Sequence, residues 1–277
     1  MHSGVESYRE DVKEKDMITS MANQQMKNLA ALQKKAKERK NQGLFVAEGP
    51  RMCLEAPREW ISAIYVSESY LEDEKRKKEL QAFDFSYEVV ADAVFRSVSD
   101  TQTPKGIMTV VKKPEYRLEE LLDGEQTHLL ILENVQDPGN LGTMMRTGEG
   151  AGITGVIMSH TTVDLFNPKT IRSTMGSLYR VPYFITDNLQ DTLLWVKQQG
   201  VHLYAAHLAG QKSYDEMDYT AACGFLIGNE GNGLTDETAH LADDYIRIPM
   251  AGQVESLNAA MSAGILMYEC SRQRRNH

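Results

Sequence analysis

From residue 128 onward the sequence repeats one arrangement that few folds accommodate: a short apolar run, a loop of glycine, asparagine or proline, then a stretch with helical periodicity. The runs at 129–132, 155–158 and 224–227 lack the alternation of a strand with one wet face, and they are too short for buried helices. Further strands are expected at 182–185, 202–206 and 245–248, with helices at 142–150, 189–199, 235–242 and 257–272. Strands buried on both faces and separated by helices imply a covered parallel sheet, an α/β fold. Ligands of such sheets sit in the loops that leave the carboxyl ends of the strands.

The earlier part of the chain is less regular. Residues 1–16 are polar, mixed in charge, and read as a loose leader. A helix is expected over 23–40, capped by Asn23, with Met26, Leu29, Leu32 and Ala36 on one face. Strands at 44–46, 61–66 and 106–111, with helices at 50–56 and 72–81, describe a small α/β domain over 17–113. Residues 114–127, with a short amphipathic turn at 118–122, read as a linker to a second domain at 128–277.

Composition narrows the class. The 277 residues carry a net charge of −9, which argues against a protein that coats nucleic acid through many phosphate contacts. An enzyme needs only a local basic surface. The densest basic stretch holds Lys34, Lys35, Lys37, Arg39 and Lys40, with Glu38 the one acid among them; on charge alone it reads first as a solvated helix face. No apolar run approaches the roughly 18 residues of a membrane span. The N-terminus has no secretory pattern. Cys53, Cys223 and Cys270 are scattered and the histidines show no ligand spacing, so reduced thiols, a cytoplasmic location and no metal are expected.

Three segments carry chemistry. Residues 132–147 run from a buried strand through Asp137-Pro138-Gly139 into a helix and present Asn140 and Arg146; alone, the segment reads equally as a capped helix with a surface arginine. If Asn140 lies in the loop, both side chains can face one pocket. Residues 226–234 place Asn229 and Glu230 among Gly228, Gly231 and Gly233, more glycine than a tight turn requires. Residues 246–260 lead from a strand through Pro249 into a helix that Ser256 could cap, with Asn258 in its first turn. The run 150–155 matches G-x-G-x-x-G, but it follows a helix and opens a strand, the reverse of a dinucleotide fingerprint. It reads as a helix C-cap, and a nicotinamide dehydrogenase is set aside.

Taken together the three segments resemble the signature motifs of the SpoU branch of the SPOUT methyltransferases, the TrmH family. The N-x-G-x-x-x-R-T pattern is met at Asn140, Gly142, Arg146 and Thr147. The G-N-E-G-x-G-L pattern is met from Gly228 to Leu234, and I-P-M-x-G-x-x-x-S-L-N at Ile248, Pro249, Met250, Gly252, Ser256, Leu257 and Asn258. With less force, Asn23, Lys27 and 43–49 resemble the small substrate-binding domain of ribosomal RNA members. Residues 172–177 resemble a small-residue run in which Met175 and Ser177 are larger here.

The resemblance implies an RNA ribose 2′-O-methyltransferase that uses S-adenosylmethionine, built as a knotted C-terminal parallel-sheet domain behind a small α/β substrate-binding domain. It implies a homodimer with the active site completed across subunits. Leu208, Gly228, Ile248, Met250, Leu257 and Ala260 would line the donor site, together with Asn229, Glu230, Pro249 and Ser256. Asn140, Glu230, Ser256 and Asn258 would orient substrate or support Arg146. A guanidinium is too weak a base to take the ribose proton, so Arg146 is expected to clamp a phosphate and stabilise the developing alkoxide. The basic residues at 34–40 and Arg172 become candidate RNA contacts. Ribosomal RNA is the expected substrate; a transfer RNA substrate, or a SPOUT-fold protein that binds RNA without methylating it, are the alternatives.

Overall fold

The computed structural model describes residues 17–275, so the leader expected over 1–16 lies outside the described residues. The N-terminal part runs α1 (Gln24–Lys34), α2 (Ala36–Gln42), β1 (Leu44–Glu48), α3 (Pro50–Leu54), β2 (Ile61–Ser67), α4 (Glu68–Glu72), α5 (Glu74–Phe83), β3 (Glu88–Val90), α6 (Asp92–Val98) and β4 (Ile107–Lys112). Among the described residues its strands form a sheet in the order β1-β4-β2-β3. β4 is antiparallel to both neighbours, and β2 and β3 are parallel, so this sheet is mixed.

Asn23 caps α1 as expected, its side chain accepting from the amides of Gln25 and Met26, and Met26, Leu29 and Leu32 are buried. The single helix expected over 23–40 is instead broken at Lys35, which is extended (φ −121°, ψ 111°). The break has a partner that explains it. The carbonyls at a helix end lack amide donors, and the Arg39 guanidinium turns back to donate to Leu32 O (2.7 Å) and Gln33 O (3.1 Å).

The C-terminal part runs β5 (His128–Leu132), α7 (Pro138–Ala151), β6 (Gly155–Ser159), α8 (Pro168–Thr174), β7 (Tyr183–Thr186), α9 (Leu189–Gln198), β8 (His202–Ala206), β9 (Lys212–Ser213), β10 (Cys223–Ile227), α10 (Asp236–Ala239), β11 (Asp244–Arg247) and α11 (Ala259–Arg275). The sheet order is β7-β6-β5-β10-β8-β11-β9, with neighbours parallel throughout. Strand order reverses at β5/β10, the place where an open parallel sheet leaves a crevice. The glycine run at 150–155 is the helix end read from the sequence, with Gly152 left-handed (φ 76°) after α7. Gly142 lets α7 and α8 approach: a Cβ there would stand 2.4 Å from Ser173 Cβ and 2.7 Å from Thr170 O. The three cysteines are free and buried; Cys223 and Cys270 Sγ lie 3.7 Å apart, a thiol hydrogen bond that joins β10 to α11 without a disulfide. No helix among the described residues is long and apolar enough to cross a membrane.

Both parts contribute to one apolar core. Phe45 on β1 packs on Phe166 (centroids 4.9 Å apart) and Tyr179, Tyr179 Oη donates to Met52 O, and Lys113 lies over the Phe166 ring. Arg39 is only 3% exposed and donates from Nε and Nη2 to Asp164 Oδ2 at 2.9 and 2.6 Å. Removing one partner of a buried ion pair strands the other charge, at a cost of about 3–5 kcal/mol, whereas exposed pairs contribute under about 1 kcal/mol. Asp164→Ala is therefore expected to lower stability in urea denaturation by about 3 kcal/mol, and Asp100→Ala, which breaks the half-exposed pair with Arg172, by less than about 1 kcal/mol.

Candidate active site

Three loops, leaving the carboxyl ends of β8, β10 and β11, enclose with the start of α11 a cavity of about 590 Å³, within the range of small-molecule sites. Of the residues expected to hold a donor, all line this cavity except Ala260, which is buried in the first turn of α11. Its walls also include residues that the motifs did not single out. Ser262 and Leu266 follow Ala259 at helical spacing along α11, and Val254 and Glu255 stand in the loop before it. The period of three to four from Ala259 was the available signal for the first two.

The loop after β10 owes its shape to Gly228. A Cβ there would fall 2.1 Å from the carbonyl carbon of Gly233 and 2.2 Å from the amide nitrogen of Leu234. That close approach lets Asn229 and Gly233 exchange two backbone hydrogen bonds (3.0 and 2.9 Å). Asn229 Oδ1 then accepts from the amides of Gly231 (2.9 Å) and Asn232 (3.1 Å), while its Nδ2 donates to Asn134 O at 3.0 Å.

Glu230 at the loop's tip joins the three motifs. Its carboxylate accepts from the amides of Gln136 and Asp137 and from Asn140 Nδ2, each at 3.0 Å. Asn140 Oδ1 in turn accepts from Asn258 Nδ2 at 3.1 Å. Partial burial alone would raise the Glu230 carboxyl, but the hydrogen bonds from Asn140, Gln136 and Asp137 outweigh it and hold the group below the usual carboxylate range.

Two local expectations are corrected. Helix α7 starts at Pro138, four residues earlier than read, because Asp137 caps it by accepting from the Asn140 amide. Asn140 thus sits in the first turn and not in the loop, and still reaches Glu230. The cap of α11 is Asn258, whose Oδ1 accepts from the amides of Ala260 (2.9 Å) and Met261 (3.3 Å), whereas Ser256 stands exposed in the cavity wall. A single Asn258 side chain therefore ends one loop and ties it to the first turn of α7.

Arg146 is not part of this web. Six residues past Asn140, it projects about 120° away around α7, is exposed, and has no ion-pair or hydrogen-bond partner among the described residues. Of the candidate RNA contacts, Lys34, Lys35, Lys37 and Lys40 are exposed beside the α1–α2 break. Arg39 is withdrawn from that surface by its buried pair with Asp164, and Arg172 is engaged by Asp100 at 2.8 Å. No cluster of metal-ligating side chains occurs among the described residues.

Two outcomes test this construction. Gly228→Ala should force the Gly233–Leu234 backbone to move and lower stability by about 1–3 kcal/mol, measured by denaturant unfolding. A carboxyl held low by native hydrogen bonds contributes stability that is full above its unfolded pKa and lost as pH falls through the folded one. In Asn140→Ala the Glu230 titration midpoint, followed by carboxyl NMR, should move upward towards the ordinary value.

Comparison with known proteins matches residues 127–268 to the SpoU rRNA Methylase family and residues 23–109 to the MRM3-like substrate binding domain. The 23S rRNA (guanosine(2553)-2′-O)-methyltransferase RlmP of Bacillus subtilis is 35% identical over 252 residues, spanning 91% of this chain and 97% of that protein. The AdoMet-bound rRNA methyltransferase from Sinorhizobium meliloti superposes with a TM-score of 0.81 at 32% identity, covering 92% of this chain and 97% of that one. The SpoU methyltransferase AviRb from Streptomyces viridochromogenes in complex with AdoMet gives 0.83 at 27% identity, covering 91% and 98%. This chain belongs to the SpoU rRNA methylase family.

Proposed function

We propose that the protein transfers a methyl group from S-adenosylmethionine to a ribose 2′-hydroxyl of ribosomal RNA, with 23S rRNA as substrate. The observation that carries this reading is the junction of the three motif loops through Glu230, Asn140 and Asn258 beside a 590 Å³ cavity. The lining fits the donor. Leu208, Ile248, Met250 and Leu257 offer apolar surface, the 228–234 loop offers backbone groups, and Glu230 and Glu255 supply negative charge. S-adenosylmethionine supplies an electrophilic methyl carbon on a positively charged sulfur. RlmP and the RlmB proteins among the relatives are named as 23S rRNA methyltransferases, which favours ribosomal over transfer RNA.

In this reading Gly228, Asn229, Ile248, Pro249, Met250, Leu257 and Leu208 hold the donor, while Ala260 supports the wall from behind. Asn140, Asn258 and Ser256 orient the ribose, and Glu230 keeps the loops in register. Arg146 grips a phosphate next to the target and stabilises negative charge developing on the 2′-oxygen, and the proton leaves to phosphate or water. Positioning supplies the rest, since an in-line displacement needs its two reactants held in line. Arg146 serves the cavity of the other subunit of a homodimer. Its exposure on α7, a helix packed on α11 where Met261 (60% exposed) and Tyr268 (47% exposed) also face outward, supports such an interface. The proposal also includes a trefoil knot, supported by β10 lying between β5 and β8 while α11 returns onto α7 and β10. It includes a division into modules at 17–113 and 128–277, RNA contact by Lys34, Lys35, Lys37 and Lys40, and work in the cytoplasm without a metal.

Mapping 2′-O-methyl marks on total RNA with and without the gene tests the assignment: one mark on 23S rRNA should vanish, and an unchanged map overturns it. Arg146→Lys should lower kcat by about 10²-fold, as for loss of a single charge-stabilising donor. Calorimetry should show S-adenosylmethionine bound as before.

A further inference from the structure

The two ends of the 228–234 loop converge on one residue outside the three motif patterns. Glu133, the first residue after β5, donates its amide to Ile227 O at 2.9 Å, at the point where the loop begins. Its carboxylate crosses to the point where the loop ends. It accepts from the Thr235 amide at 2.7 Å, from Thr235 Oγ1 at 2.8 Å and from Thr238 Oγ1 at 2.5 Å. Thr235 is also the cap of α10, accepting from the Thr238 amide. Glu133 is 8% exposed, and a buried carboxylate is tolerated only with such partners. Three converging donors are more than a turn needs, and they close the base of the loop from below, whereas Glu230 secures its tip.

We propose that Glu133 is a positioning residue for the donor site: by fastening residues 227 and 235 to one strand end, it keeps the 228–234 backbone in the shape that binds the methyl donor. Glu133 does not line the cavity, so its effect passes through the loop. The inference rests on the reading of this loop as the donor wall, and the test separates the two. In Glu133→Ala, amides of Gly231, Asn232 and Gly233 should exchange hydrogen at least about tenfold faster by mass spectrometry. The KM and calorimetric Kd for S-adenosylmethionine should rise about tenfold, with kcat within threefold. Glu133→Gln, which keeps one acceptor and the side-chain volume, should recover most of the donor affinity, and Thr238→Val, which removes a single donor, should lie between.

Unchanged loop exchange in Glu133→Ala overturns the role of Glu133 and leaves the donor assignment standing. Faster exchange with an unaltered Kd overturns the donor assignment of the loop, and the inference with it. A fall in kcat and melting temperature with KM and Kd unmoved marks Glu133 as a fold residue only, and also overturns the proposal. Should Glu133→Ala fail to fold, the Glu133→Gln and Thr238→Val variants carry the same comparison.

Discussion

The site exists because one carboxylate, carried by the loop after β10, satisfies three donors at the start of α7. Gln136 and Asp137 stand at the start of α7, where backbone amides point outward without helical partners, and Glu230 arrives from a loop about 90 residues later to accept from them. The helix end also favours negative charge, so the same interaction stabilises the helix and fixes the loop. Asn140 relays the contact to Asn258, which caps α11. Each asparagine uses its amide as donor on one side and acceptor on the other. That explains why an aspartate, with acceptors alone, could not replace either of them in this chain of contacts.

Much of this was legible in the sequence, for physical reasons. Fully buried strands carry unbroken apolar runs, so β5, β6, β8 and β10 were located to within a residue or two. The glycines of 228–234 exceeded what a turn requires, and the structure shows the excess in the near-contact of Gly228 with Gly233. Caps were less readable. Asn258 is as good a cap candidate as Ser256, and which residue ends a helix depends on what lies beyond it. The break at Lys35 was invisible because its cause, the return of Arg39 to two carbonyls and to Asp164, lies in tertiary structure. The short β3 and α8 left no apolar period to find, whereas α6 places Val94, Phe95 and Val98 on one face, a short apolar pattern that the expectations above omit.

A basic cluster illustrates the limit of reading charge along a chain. Five cations between residues 34 and 40 look equivalent in one dimension, yet Arg39 is buried while its neighbours face water. An arginine can satisfy two carbonyls and a carboxylate together because its guanidinium presents five donors in a fixed fork. A lysine has no such geometry, which is why the position holds arginine.

The shared core between the two parts has a consequence for how this architecture diversifies. Phe45, Tyr179, Phe166 and the Arg39–Asp164 pair make each half a component of the other's interior. A chimera that transplanted only the front module onto a foreign catalytic half would bury a guanidinium with no counter-ion and leave an aromatic stack unfilled. Grafts that exchange target preference must therefore carry residues 164–180 along with the front module, so the seam for recombination runs through the second half and not through the stretch that joins the two.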